Sequence, residues 1–189
     1  DAFDGATGGG PTQYPDNPPA VGIDFFQGPY QDNDGVDNLG PYTDSTGTLI
    51  VPTVSDAVAD NGIVYGGIGI GYSDNIIDNE RFGMRKFVYF TRADLAPPYG
   101  SDPDDASEYY NYMNGIWKDG ADFCYGGTGH PSGGCNGLLA DYMFPGRSDP
   151  LGWGTSGSPQ AEWTEETGNN PVGDRRFLQS AGPFTLEPG

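Results

Sequence analysis

DPDDASEYYNYMNGIWKDG, residues 102–120, is the stretch that most fully specifies its own secondary structure. Asp102 suits an N-cap and Pro103 the first helical position, while Asp104 and Asp105 put negative charge where a helix dipole favours it. Tyr109, Tyr112, Met113, Ile116 and Trp117 then recur at helical spacing, and Gly120 follows as a stop. The pattern predicts one packed amphipathic helix near 103–118. Its aromatic stripe needs a surface to lie on, and the flanking sequence offers strands. In residues 82–91, Phe82, Met84, Val88 and Phe90 alternate with Gly83, Arg85, Phe87, Tyr89 and Thr91, and Lys86 interrupts the first face. Aromatics on both faces predict a strand covered on both sides. Residues 23–26, 48–54 (with Pro52 marking an edge), the glycine-alternating 63–72, and a closing pair over 176–180 and 183–186 read as further strands. The expected fold class is mainly β, loop-rich and sandwich-like, with that single helix.

Around this framework the composition is unusual. Glycine and proline, 32 and 17 of 189 residues, make up about a quarter of the chain, which borders on disorder. Ten Phe, twelve Tyr and three Trp argue instead for a folded body with many tight turns. Residues 1–22 are Gly/Pro/Asp-rich and without periodicity, as in an extended arm or linker, leaving 23–189 as a single β-rich, calcium-binding domain. A formal charge of −19 and a pI near 4.1 argue against nucleic acid and anionic membrane surfaces as partners. No apolar run is long enough to span a bilayer. The chain starts at Asp1 and stops at Gly189 with no basic-then-apolar leader between, and reads as a processed form or as a piece of a longer protein.

The acid is concentrated in places. Six of the 27 acidic residues are glutamate, so 21 are aspartate, against two lysines. The aspartates gather in DNDGVDN (32–38) and in DNIIDNE (74–80). Carboxylates this close repel unless a hard cation lies between them, and calcium is the cation that turn-borne oxygen ligands suit best. Neither run is an EF-hand. Placing Asp34-Gly35 at loop positions 5 and 6 puts Asp32 at 3 but Tyr30 at 1, where a donor belongs. A turn at Gly35 nevertheless allows Asp32, Asp34 and Asp37 to converge, and Asp78 and Glu80 can join Asp74 after a turn at Asn75. These six are the candidate Ca2+ ligands, with Asp24 and Asp44 as lesser ones. The competing reading is a cluster of Asx-turns, each side chain bonded to nearby backbone.

Cys124 and Cys135 bracket YGGTGHPSGG, a loop whose five glycines make its closure valuable. A disulfide there implies an oxidising compartment, and two buried thiols are the alternative. His130, the only histidine, lies inside this loop and leaves a zinc pair without partners. It is expected as an exposed loop residue, and no nucleophile elbow surrounds it. A glycosidase would need facing carboxylates, for which Glu80 with Glu108 or Glu162 are the candidates. Trp153, Trp163 and Tyr142 in turn-rich segments are candidates for stacking on sugar, with core packing as the alternative role.

Several segments together resemble an internal region of large cell-surface or secreted proteins of Bacteroidota. They are DFFQGPYQDNDG (24–35), DNERFGMRKFVY (78–89), YNYMNGIWKDG (110–120), DYMFPG (141–146) and GDRRFLQSAGPF (173–184). That family is exported by the type IX secretion system on a C-terminal sorting domain. The resemblance implies an extracellular or outer-surface location, and Asp44-Ser45-Thr46 resembles that phylum's short O-glycosylation acceptor, with the glycan on Ser45. The function expected is a secreted, non-enzymatic, calcium-stabilised surface, matrix or filament component. Its partners would be other copies of itself or other cell-surface proteins. The alternative is a carbohydrate-binding or carbohydrate-processing module with glycan ligands.

Overall fold

The computed structural model describes residues 2–3, 20–21, 25, 28–30, 33–38, 42–43, 46, 49–50, 71–92, 97–150, 152–170 and 174–182. Asp24, Asp32, Asp44, Ser45 and the expected strand over 183–186 lie outside the described residues. The chain divides into two units, one of residues 1–24 and 86–179 and the other of residues 25–85 and 180–189. The described elements are one α-helix, two-stranded antiparallel pairings and a large share of turns. No helix among the described residues is long and apolar enough to cross a membrane.

In the first unit, β1 (Ala2–Phe3) pairs antiparallel with β2 (Ala20–Val21). In the second, β3 (Tyr42–Thr43) pairs antiparallel with β4 (Leu49–Ile50), inside the stretch expected to be a strand. The central strand is β5 (Lys86–Phe90), shorter than the alternating 82–91 pattern. On one edge it pairs with β6 (Arg176–Ser180). Contacts from Arg85 N to Ser180 O and from Thr91 Oγ1 to Asp174 O mark opposite ends of an antiparallel run. On the other edge, Phe87 N donates to Asp141 O and accepts at its own O from Met143 N, both at 2.9 Å. Both faces are used, as the aromatic alternation predicts. Val88 and Phe90 point into the core, while Phe87 stacks on Phe177 at 5.7 Å and Tyr89 meets Phe144 at 5.8 Å.

α1 (Ala106–Met113) starts later and ends earlier than the sequence pattern predicts. Asp105, not Asp102, is the N-cap, accepting from Ser107 N at 2.8 Å and Glu108 N at 3.1 Å. Glu108 reaches back to Asp104 N at 2.7 Å, close to a capping box. Asp102 is held by Arg176 through both carboxylate oxygens at 2.7 Å. At the other end, Gly115 takes φ +75°, Ile116 N bonds Asn111 O at 3.0 Å and Gly115 N bonds Tyr112 O at 3.1 Å. That is a Schellman stop, five residues before Gly120. A side chain at Gly115 would also strike the Lys86 stem, and Lys86 is ion-paired with Asp141.

Trp117 therefore leaves the helix and enters the core from a turn, where Trp117 N meets Ala121 O at 2.8 Å. It is 2 % exposed and lies against Phe123 (4.4 Å), Tyr99 (5.5 Å) and Tyr112 (5.9 Å). Its indole N–H donates to Gly129 O at 2.8 Å. Trp163 does the same to Gly127 O at 2.9 Å, packed on Tyr125 and Phe144. Both acceptors belong to the loop closed by the Cys124–Cys135 disulfide, whose Cα atoms are 5.7 Å apart. The glycine-rich loop is thus the floor on which two indoles dock. Gly127, at φ +53°, packs so closely on Gly133 O that a Cβ there would collide with it.

Closing a ring with a separation of 11 residues removes denatured-state entropy worth about 3 kcal/mol. Reducing the disulfide, or replacing both cysteines by serine, should lower the urea-unfolding free energy of this unit by that amount. An unchanged midpoint under reductant would contradict it.

Candidate metal centre

The two acidic runs, some 40 residues apart in sequence, are laced to each other within the second unit. Gly35, at φ +81°, makes the expected turn, and Gly35 N donates to Asp78 Oδ1 at 2.8 Å. Asn75, at φ +69°, makes the other, and Asn75 N donates to Asp37 Oδ2 at 2.5 Å. Asn38 N donates to Glu80 Oε1 at 2.5 Å, and Ser73 N to Asn38 O at 3.1 Å. Ser73, Asn75 and Asp78 all take left-handed φ, at a cost of about 1 kcal/mol or more each. Cross-loop bonds hold them there.

Two of the candidate carboxylates make local Asx-turns. Asp34 Oδ1 accepts from Val36 N at 2.9 Å and Asp74 Oδ1 from Ile76 N at 2.8 Å, and both residues are exposed. Asp74 Oδ2 also accepts a hydrogen bond from Asn79 Nδ2 at 3.0 Å. Glu80 differs from these. It is 1 % exposed, and its second oxygen, Oε2, has no hydrogen-bond donor among the described residues. Asp37 Oδ1 and Asn79 Oδ1 are equally shielded from solvent and equally without a donor. Arg81, the cation next in sequence, is turned away, lying 3.7 Å from the centroid of Tyr30 and donating to Gly28 O at 3.3 Å. Among the described residues, no group of three or more Asp, Glu, His or Cys side chains is placed to hold a metal ion. The donor set the loops do offer is oxygen alone, carboxylate and amide, which is the set a hard cation takes.

Sequence reasoning proposed the five described acids but passed over Asn79. The signal available was its position beside Glu80, because a side-chain amide oxygen belongs to the ligand types a hard cation accepts, without the charge of a carboxylate.

The catalytic candidates sit otherwise. His130 is not an exposed loop residue, since it is 6 % exposed and stacked on Tyr99 at 3.7 Å. Its Nδ1 accepts Ser132 N at 3.0 Å, so Nε2 donates to Asp119 Oδ2 at 2.9 Å. Burial pushes the Asp119 carboxyl up, but the Ala121 N–H and the His130 ring hold it below the usual carboxylate range. The Asp119–His130–Ser132 chain has the order of an acid–base relay, with Ser132 Oγ 2.7 Å from Nδ1. Yet the imidazole acts as the N-cap of the turn Pro131–Gly133 and its ring is walled in by Tyr99 and Trp117. Glu108 is engaged by Lys118 at 2.9 Å and Glu162 by Arg147 at 3.1 Å. Of the rings considered for sugar stacking, Trp163 is buried in the core, and Trp153 and Tyr142 are half-buried.

Comparison of the chain with protein-family models, curated proteins and solved structures returns no match.

Proposed function

We propose that this chain is a secreted, non-enzymatic component of a cell surface, matrix or filament whose acidic loops are stabilised by calcium. The observation that carries the reading is the lacing of residues 34–38 to residues 73–80, which crowds five carboxylates into one pair of loops while Arg81 is directed elsewhere. Such a concentration of negative charge favours the folded loops when a divalent ion neutralises it and opposes them when none does. The disulfide supports an oxidising, extracellular setting. The resemblance to Bacteroidota surface proteins supports export to the outer surface, where the partners would be further copies of the chain or other surface proteins. A mainly β, sandwich-like scaffold across residues 23–189 belongs to the same reading. The carbohydrate alternative gains no support from Trp163, which is buried in the core against Tyr125 and Phe144.

Proteolysis by endoproteinase Glu-C tests the proposal without depending on the protease's own metal requirement. Cleavage after Glu80 should slow about tenfold in calcium at ten times its Kd, relative to EGTA, because a bound ligand suppresses loop opening by mass action. Equal rates in the two buffers would contradict it.

A further inference from the structure

The five described acids, Asp34, Asp37, Asp74, Asp78 and Glu80, are not equivalent, and their differences locate the ion. Asp34, Asp74 and Asp78 already spend carboxylate oxygens on backbone N–H groups of the loops, at 2.8–2.9 Å. Asp34 and Asp74 are also open to water. Such groups need nothing further. Glu80 and Asp37 each spend one oxygen on the loops and keep the other shielded from water and without a donor. A shielded carboxylate oxygen that meets neither water nor a donor costs several kcal/mol unless a positive charge meets it.

The third oxygen is fixed in orientation. Asn79 commits its Nδ2 to Asp74 Oδ2, so Oδ1 is the amide atom left shielded from solvent and without a donor. It lies against Gly71, where even a Cβ would come within 2.6 Å of Asn79 Oδ1. Asp37 and Asn79 are the chain neighbours of Asn38 and Glu80, which are tied by the 2.5 Å bond from Asn38 N to Glu80 Oε1. Two carboxylate oxygens and one amide oxygen are thereby carried on two adjoining backbone segments. Calcium accepts mixed carboxylate, amide and backbone carbonyl oxygens and completes its shell with water. Magnesium, which holds its own waters and demands a regular octahedron, suits this set less well.

The geometry points to a calcium ion seated behind the loops on Glu80 Oε2, Asp37 Oδ1 and Asn79 Oδ1, with Asp34, Asp74 and Asp78 acting as loop ties rather than ligands. This assignment rests on the calcium reading above and narrows it. It also assigns a ligand, Asn79, that is not an acid.

Calorimetric calcium titration of the full chain, paired with tyrosine-sensitised terbium luminescence, tests it. Wild type should bind calcium. Glu80→Gln and Asn79→Ala should weaken binding, the former on the order of 100-fold because a liganding charge is removed. Asp34→Asn, Asp74→Asn and Asp78→Asn keep the accepting oxygen and should each change affinity by less than about fivefold. If those three variants weaken binding as much as Glu80→Gln does, the ion sits on the outer acids: this assignment fails and the calcium reading stands. If wild type binds neither ion, both fail. Should near-UV circular dichroism show Glu80→Gln to be unfolded, Asn79→Ala and Asp37→Asn decide, since both residues are only partly buried, and undiminished affinity in that pair overturns the assignment.

Discussion

Trp117→Ala should destabilise the unit of residues 1–24 and 86–179 by about 3–5 kcal/mol, the largest loss expected of any single truncation in the aromatic core. Trp117 is the ring on which Tyr99, Tyr112, Phe123 and His130 converge. Its removal leaves a cavity that four rings, each fixed by other contacts, cannot collapse to fill. Tyr112 is pinned by its hydroxyl to Tyr99 O at 3.0 Å and Ser101 O at 2.7 Å. Burial, with Glu108 and Asp102 nearby, pushes that hydroxyl far above the ordinary phenol range, so it stays a donor at any working pH. Gly129 O would keep one donor, Cys124 N at 3.1 Å, so the loss is chiefly packing. Trp117→Phe should accordingly recover more than half of it. Urea unfolding followed by the fluorescence of Trp153 and Trp163 measures both. A loss below about 1.5 kcal/mol for the alanine variant would contradict the placement of this ring at the centre of the core.

Arg175→Met should cost a comparable 3–5 kcal/mol, for an electrostatic reason. Arg175 and Glu165 are each only 6 % exposed at the side chain and are joined from Nε to Oε2 at 3.0 Å. The guanidinium also donates to the Tyr89 hydroxyl at 3.2 Å and lies 5.0 Å from the centre of its ring. Removing the cation takes from a buried carboxylate the guanidinium it is paired with. Removing both charges does not, so Arg175→Met with Glu165→Leu should be more stable than Arg175→Met alone, although it deletes more of the native contact. A double variant at least as unstable as the single one would show that the ion pair contributes through packing only. Pairs at the surface, such as Arg147 with Glu162, should give under 1 kcal/mol in the same cycle.

The contrast between what sequence and structure say is sharpest at α1. Its position and its acidic first turn are legible in residues 102–108, because capping is local chemistry. Its ends are not. The apolar spacing of Tyr109, Tyr112, Met113, Ile116 and Trp117 fits a helix through to Lys118. Asn114-Gly115 overrides it, since glycine enters the left-handed region without strain and must also stay bare beside Lys86. The second condition is tertiary and leaves no mark in the pattern. Asp102 and Asp105 are similarly indistinguishable as caps until Arg176, 74 residues away, takes Asp102. The alternation of β5 shows that both its faces are covered, but not by what. Phe177 is visible as part of a strand, whereas the Phe144 beside Tyr89 comes from a turn.

The disulfide loop is a case where composition misleads. Five glycines and one histidine read as an exposed tongue, yet the loop folds on itself, so that a Cβ at Gly127 would meet Gly133 O and one at Gly133 the Thr128 hydroxyl, while its carbonyls receive two indole N–H groups. His130 is buried by its own packing on Tyr99 and Trp117. At the acidic loops the sequence marks where the acids concentrate, in two short runs that cross-loop bonds tie together. Which of their oxygens are satisfied depends on bonds between residues 35–38 and 75–80, and a spacing rule does not carry that.

Calorimetric melting of the full chain in saturating calcium, in magnesium and in EDTA bears most directly on the central claim. Calcium at about 100 times its Kd contributes about 2.7 kcal/mol, so the transition that includes the acidic loops should move up by roughly 5–10 °C relative to EDTA, with magnesium giving a smaller shift. A transition at the same temperature in all three buffers would mean that the crowded loops stand without a cation, and would contradict the account.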